Sequence, residues 1–278
     1  MRTLRRLNNG NWIPNLGLGT YLVSSNEHTY KILHKAYSCG YRLIDTARMY
    51  GNEEDIGWSI RKLKDELKIE RCDFFITTKL MPKDTSYKGA YKSIKKSLKE
   101  LKTDYIDLYL IHWPGKNVKE RINCWKAMEE LYNKGIVKNI GVSNFTTKHL
   151  KDLISESTII PCINQIEVHP LYADKDTIEY CKNKNILIQS YSPFAQKSPR
   201  LMEKEVLKRI KEKYEKSVAQ VILRWNYQKE FIGLPRSNNT KHIEENANIF
   251  DFELSEDDMK QIDLLNEMQK VEWNPYTL

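Results

Sequence analysis

Short apolar runs of the kind that fill strands buried on both faces recur along this chain, and their spacing constrains the fold more than any other feature. They stand at Leu16 to Thr20, Leu43-Ile44, Phe74 to Ile76, Ile106 to Ile111, Ile140 to Val142, Ile163 to Val168, Ile186 to Ile188 and Phe231 to Leu234. Runs without strict polar alternation suit parallel strands, whose two faces are both covered. Between them the period becomes helical. Ala90, Ile94, Leu98 and Leu101 share one face with lysines on the other, and Trp125, Met128 and Tyr132 share a face in a segment that ends at Gly135, a suitable left-handed cap. Strands alternating with helices along 278 residues predict a (β/α)8 barrel of the TIM type.

An open doubly wound sheet is the competing architecture. It normally carries a GxGxxG turn after its first strand, and Gly17-Leu18-Gly19-Thr20-Tyr21-Leu22 begins that pattern but lacks the third glycine. No linker or low-complexity tract divides the chain, so residues 1–278 are expected to form one domain. An N-terminal hairpin and a tail after Gln269 are expected to cover the barrel mouths.

Hydrophobic residues make up 40% and charged residues 29%, and no run approaches the roughly 20 apolar residues that span a bilayer. Met1 to Leu7 is basic but lacks the apolar stretch of a secretory signal, which points to a cytoplasmic protein without a membrane partner. The five cysteines, Cys39, Cys72, Cys124, Cys162 and Cys181, are odd in number and have no zinc-like spacing, so reduced thiols and no metal are expected. A net charge of +8 permits attraction to polyanions. The lysines at 62–68, 92–102 and 204–216 read instead as solvated helix faces, with no nucleic acid partner.

In a barrel, chemistry gathers where strands end. The second run ends at Asp45 with Tyr50 just beyond, the third at Lys79 and the fourth at His112. Each has an ordinary structural explanation taken singly: a helix cap, a core phenol, a surface amine, a satisfied buried imidazole. Together they place a carboxylate, a phenol, an ammonium and an imidazole at one mouth. Neither HExxH nor GxSxG occurs, which leaves no motif for a zinc protease or a nucleophile elbow.

Tyr41-Arg42-Leu43-Ile44-Asp45-Thr46-Ala47 and Tyr50-Gly51-Asn52-Glu53-Glu54 resemble the aldo-keto reductase signature. So do Thr77 to Leu80, Leu110 to Pro114, Gly141 to Phe145, Asn164 to Glu167, Ser190 to Pro193 and Leu234 to Ser237, in the family's order. The resemblance implies an NADPH-dependent reductase of small aldehydes and ketones, of the compact microbial type similar to 2,5-diketogluconate and glyoxal reductases, with a monomer expected. It implies a catalytic tetrad of Asp45, Tyr50, Lys79 and His112, with Tyr50 as the general acid. It further implies that Ser143, Asn144 and Gln165 hold the nicotinamide carboxamide, that Tyr191 stacks on the ring, and that Gly19, Thr20, Tyr21 and Ser192 line the same region. Arg236, Ser237, His242, Glu245 and Asn246 would contact the adenosine end. Arg236 and His242 stand where relatives carry lysine and arginine, so NADH is also a possible cofactor. Tyr21, Met81, His112, Trp113, Phe194 and Trp273 would surround the substrate. A cofactor-binding adaptor with slow chemistry is the alternative on the same fold.

Overall fold

The computed structural model describes residues 3–273. A short antiparallel hairpin, β1 (Leu4–Arg6) and β2 (Trp12–Pro14), opens the chain. The next strands are β3 (Gly17–Gly19), β4 (Leu43–Asp45), β5 (Phe75–Leu80), β6 (Leu108–Ile111), β7 (Ile140–Ser143), β8 (Ile163–Glu167), β9 (Leu187–Tyr191) and β10 (Ile232–Leu234). Each pairs in parallel with its neighbour in chain order. Bridges Leu16–Gly233 and Gly19–Arg236 join the first barrel strand to the last and close the ring. The eight apolar runs thus become eight barrel strands. The first residues of several runs, Phe74, Ile186 and Phe231, are buried just ahead of the ladder rather than in it.

Helices fill the connections: α1 (Asn26–Ser38), α2 (Glu53–Leu67), α3 (Tyr87–Glu100), α4 (Val118–Asn133), α5 (Thr147–Ile154), α6 (Lys175–Asn183), α7 (Pro199–Met202), α8 (Glu205–Tyr214), α9 (Val218–Gln228), α10 (Thr240–Ala247) and α11 (Glu256–Asp263). Their starts follow capping chemistry. Ser86, Asn117, Asp174, Ser217 and Ser255 each accept a hydrogen bond from a backbone N–H of the first turn. Among the described residues no helix is long and apolar enough to cross a membrane. The five cysteines are unpaired, and Cys124, Cys162 and Cys181 are buried.

Two apolar layers follow from the period of two along each strand. Leu43, Leu108, Leu110, Ile163, Ile232 and Leu234 point into the barrel with Leu7 and Ile13 of the hairpin. Ile44, Ile76, Tyr109, Ile111, Val142, Ile166 and Ile188 point out against the helices. The interior is tight: a Cβ on Gly17 would lie 2.6 Å from Leu43, and one on Gly141 would lie 2.7 Å from the Ile163 carbonyl oxygen. The hairpin seals the N-terminal mouth. Asn8 Nδ2 donates to the Pro161 carbonyl and Asn11 Nδ2 to Asn139 Oδ1, both at the entrances of strands. The C-terminal mouth is left for chemistry.

Candidate active site

The same inward parity that buries Leu43, Leu110, Gly141 and Ile163 carries Asp45, His112, Ser143 and Gln165 to the inner rim two residues later. Lys79 and Tyr191 reach it along β5 and β9. Tyr50 arrives by a different route, on a single 3-10 turn, Arg48–Tyr50, that leads into α2. Gly51 follows in the left-handed region, at φ 68°. Asn52 fixes this loop from below. Its Nδ2 donates to the carbonyls of Thr20 and Val23, and its Oδ1 accepts from Thr46 Oγ1, so the β3 and β4 loops are tied together beneath the phenol.

Lys79 is fully buried. Its ammonium donates to Asp45 Oδ1 at 2.6 Å, to the Thr46 carbonyl at 3.0 Å and to the Tyr50 hydroxyl at 3.2 Å, which engages all three N–H bonds. Burial opposes the charge, yet Asp45 and Tyr50 outweigh it and hold the amine's pKa above its ordinary value. For Tyr50, burial is the largest influence and raises the phenol's pKa, while Lys79 pulls against it. The hydroxyl is therefore a loaded proton donor whose anion has a cation beside it. His112 packs edge-on to Tyr50, with ring centroids 5.9 Å apart. Burial, assisted by the Lys79 charge, holds its imidazole well below the usual value, so it is neutral. Its buried Nδ1 has no hydrogen-bond partner among the described residues, which favours placing the single ring proton on the less buried Nε2.

The residues expected around a nicotinamide cluster beside this group, although several already have partners. Tyr191 donates its hydroxyl to Asn144 Oδ1 at 2.7 Å, and Asn144 Nδ2 donates to the His112 carbonyl and to Ser143 Oγ. Asn144 takes φ 64°, a conformation asparagine tolerates, and so turns back over the end of β7. Gln165 Nε2 donates to Asp45 Oδ2 at 2.7 Å and to Gln189 Oε1, making it a second holder of the Asp45 carboxylate. Thr20 is fully buried and donates its hydroxyl to the Asp45 carbonyl, which places it beneath the cleft as a support. Tyr21 is exposed, with its ring 5.1 Å from that of Tyr50.

At the far end, Arg236 and Ser237 precede α10, while His242, Glu245 and Asn246 share one of its faces. The Arg236 guanidinium lies 3.4 Å from the Tyr21 carbonyl oxygen across the cleft, and Ser237 hydrogen-bonds within the turn to Asn239. Of the expected substrate contacts, Trp113 stacks on His112 and against Trp273, and Met81 is half-buried just past β5. Phe194 differs. It packs into the core under the turn after β9, and among the described residues no ring contact joins it to Tyr50 or His112.

Sequence reasoning missed the device that seats the tail. Glu167, a fully buried carboxylate at the end of β8, accepts from Lys270 Nζ at 2.6 Å, from the Val271 N–H at 2.6 Å and from the Glu272 N–H, with His169 at 3.0 Å on its inner side. The tail is thereby drawn over the mouth, where Glu272 Oε1 accepts from Ser192 Oγ at 2.9 Å and Gln196 Nε2 at 2.7 Å. Two neutral donors that hold a carboxylate oxygen would also suit a phosphate oxygen, so the residues present are compatible with a dinucleotide. A glutamate ending a buried strand is the signal that could have found it. The remainder of the tail, 274–278, lies outside the described residues.

The profile of the Aldo/keto reductase family matches residues 15–267. The chain is 43% identical over 270 residues to a glyoxal reductase of Bacillus subtilis, covering 97% of this chain and 95% of that protein. It is 37% identical to a methylglyoxal reductase of Escherichia coli, covering 98% and 97% respectively. Among solved structures it is similar to a Bombyx mori aldo-keto reductase in complex with NADP, with TM-score 0.91, 32% identity and 98% and 95% of the two chains covered. An aldo-keto reductase from a deep-sea metagenome library gives TM-score 0.92 and 38% identity over 97% of each chain. A closed parallel barrel with a buried ammonium between carboxylate and phenol, together with matches spanning nearly the whole chain, places this protein in the aldo/keto reductase family.

Proposed function

We propose that this chain reduces small aldehydes and ketones to alcohols with NADPH, 1,2-dicarbonyls such as methylglyoxal and glyoxal being the substrate class its relatives' names suggest. We further propose that it acts as a single-domain cytoplasmic monomer without a nucleic acid partner. The observation that carries the reading is the Lys79 ammonium, 2.6 Å from Asp45 Oδ1 and 3.2 Å from the Tyr50 hydroxyl at the barrel mouth.

The nicotinamide, when bound, would supply the hydride. The remaining chemistry belongs to the chain. Tyr50 gives its proton to the carbonyl oxygen as negative charge grows there, and Lys79 stabilises the phenolate that remains. Asp45 keeps the amine protonated and aimed, with Gln165 holding its second oxygen. His112, neutral, offers one N–H to the carbonyl oxygen and orients it without competing as an acid. Ser143, Asn144 and Tyr191 form a wall for the ring. Arg236, Ser237, His242, Glu245 and Asn246 receive the adenosine phosphate end, while Tyr21, Met81, Trp113 and Trp273 line the substrate entrance. Ser192 and Gln196 offer donors to the pyrophosphate once Glu272 withdraws.

The test is a turnover screen with NADPH across a panel including methylglyoxal, glyoxal and a nitrobenzaldehyde, followed at the nicotinamide absorbance. Turnover on at least one dicarbonyl is expected. Tight NADPH binding with no turnover on any carbonyl would sink the reading and leave a binding protein.

A further inference from the structure

A phosphate dianion on the adenosine ribose is what separates NADPH from NADH, and a dianion at a protein surface is held best by more than one cation. On α10 the resemblance assigns His242 to this phosphate, and an imidazole carries a partial charge at neutral pH. Arg236 supplies one permanent charge from the preceding turn. A further cation comes from elsewhere in the fold.

After β9 the chain makes a tight 3-10 turn, Ala195–Lys197, in which Ala195, Gln196 and Lys197 all take positive φ, at 46°, 56° and 59°. The base of this turn is fixed, because Phe194 and Ala195 are buried, whereas Gln196 and Lys197 are exposed. The turn's two exposed side chains serve different anchors. Gln196 donates to the tail carboxylate Glu272, and Lys197 reaches across to α10, its Nζ 3.5 Å from His242 Nδ1. Lys35 and Glu244 pair close by on α1 and α10, but among the described residues no carboxylate pairs with Lys197, Arg236 or Lys241. Lys197, which approaches His242, and Arg236, on the turn that leads into α10, are two cations without a carboxylate partner among the described residues, and an anion at this end would complement them. With one ammonium N–H directed at His242, two remain for phosphate oxygens.

We propose that Lys197 is a specificity-determining residue for the cofactor, reaching from the turn after β9 to grip the 2′-phosphate of NADPH together with Arg236 and His242. The proposal rests on the reading that the α10 end receives the adenosine phosphate. Among the described residues no contact joins Lys197 to Asp45, Tyr50, Lys79 or His112, so its effect falls on cofactor choice.

The experiment measures dissociation constants for NADPH and NADH by quenching of tryptophan fluorescence in the wild type, Lys197→Met, Lys197→Arg and Arg236→Ala. Loss of one charge-assisted contact should raise the NADPH constant of Lys197→Met about tenfold. The NADH constant should stay within about twofold, since the ribose hydroxyl has no charge to lose. Lys197→Arg should retain the preference. Equal weakening for both cofactors would assign Lys197 a role in the shape of the turn and overturn the proposal, as would an unchanged NADPH constant. Arg236→Ala separates the two ideas. If it shifts the NADPH to NADH ratio while Lys197→Met does not, only the lysine assignment falls. If neither variant shifts it, the placement of the phosphate at α10 falls as well.

Discussion

Replacing Tyr50 with phenylalanine removes one oxygen from the centre of the site and leaves its ring in place. The hydroxyl accepts one of the three hydrogen bonds of Lys79, at 3.2 Å, while the bonds to Asp45 Oδ1 and the Thr46 carbonyl remain. The buried ammonium keeps its counter-ion, so the cost to stability is that of one lost hydrogen bond to a charged group, about 1.5–3 kcal/mol. The catalytic cost is larger. A positioned general acid contributes about 10²–10⁴-fold in rate, equivalent to about 3–5 kcal/mol of barrier. The phenol is absent from the contacts proposed for the adenosine and pyrophosphate ends, so NADPH affinity should change by less than about twofold, well under 1 kcal/mol. Steady-state oxidation of NADPH with methylglyoxal should show a kcat reduced by at least about a hundredfold. A fluorescence titration on the same preparation checks binding. A variant that retains a tenth or more of the wild-type kcat would refute the assignment of proton donation to Tyr50. Parallel loss of NADPH affinity would show the phenol acting in binding instead.

Three other outcomes follow from the same contacts. Gly57→Ala in α2 would ordinarily stabilise a helix, but its Cβ would sit 2.4 Å from the Glu100 carbonyl oxygen where α2 crosses the end of α3, so urea denaturation should show a loss of about 1–3 kcal/mol. His112 is held well below its ordinary pKa, mainly by burial, and His149 is lowered to about 4, again mainly by burial and then by Arg121. The unfolded chain binds more protons than the folded one between that value and the ordinary 6.5, so stability rises with pH across this window. Melting temperature should fall on acidification through it, and His149→Gln should flatten the slope; an identical slope in the variant would exclude His149 as a contributor. Glu272→Gln keeps a group of the same size on Ser192 and Gln196 but removes the competing negative charge. It should tighten binding of both NADPH and NADH about two- to fivefold, the effect of one partly screened charge, and weaker binding of either would show that Glu272 assists the cofactor.

Local chemistry in the sequence determined the barrel and most of the residues proposed for its catalytic face. Eight apolar runs separated by helical periods admit few architectures, and inward parity along a strand converts Leu43 into the neighbour of Asp45 and Leu110 into the neighbour of His112. The four residues at strand ends and on the following turn were legible because their identity and spacing are set within a few positions of the strand that carries them. Tertiary structure alone decided what crosses between distant strands. Gln165 meets Asp45 across 120 positions, Glu167 seats the tail through Lys270 and Val271, and Lys197 approaches His242 from a separate turn. It also decided that Phe194, an aromatic just past a strand end, is buried among apolar side chains. Such pairings leave no periodic trace, because they depend on where closure of the ring brings two loops, and that distance exists only once the barrel has formed.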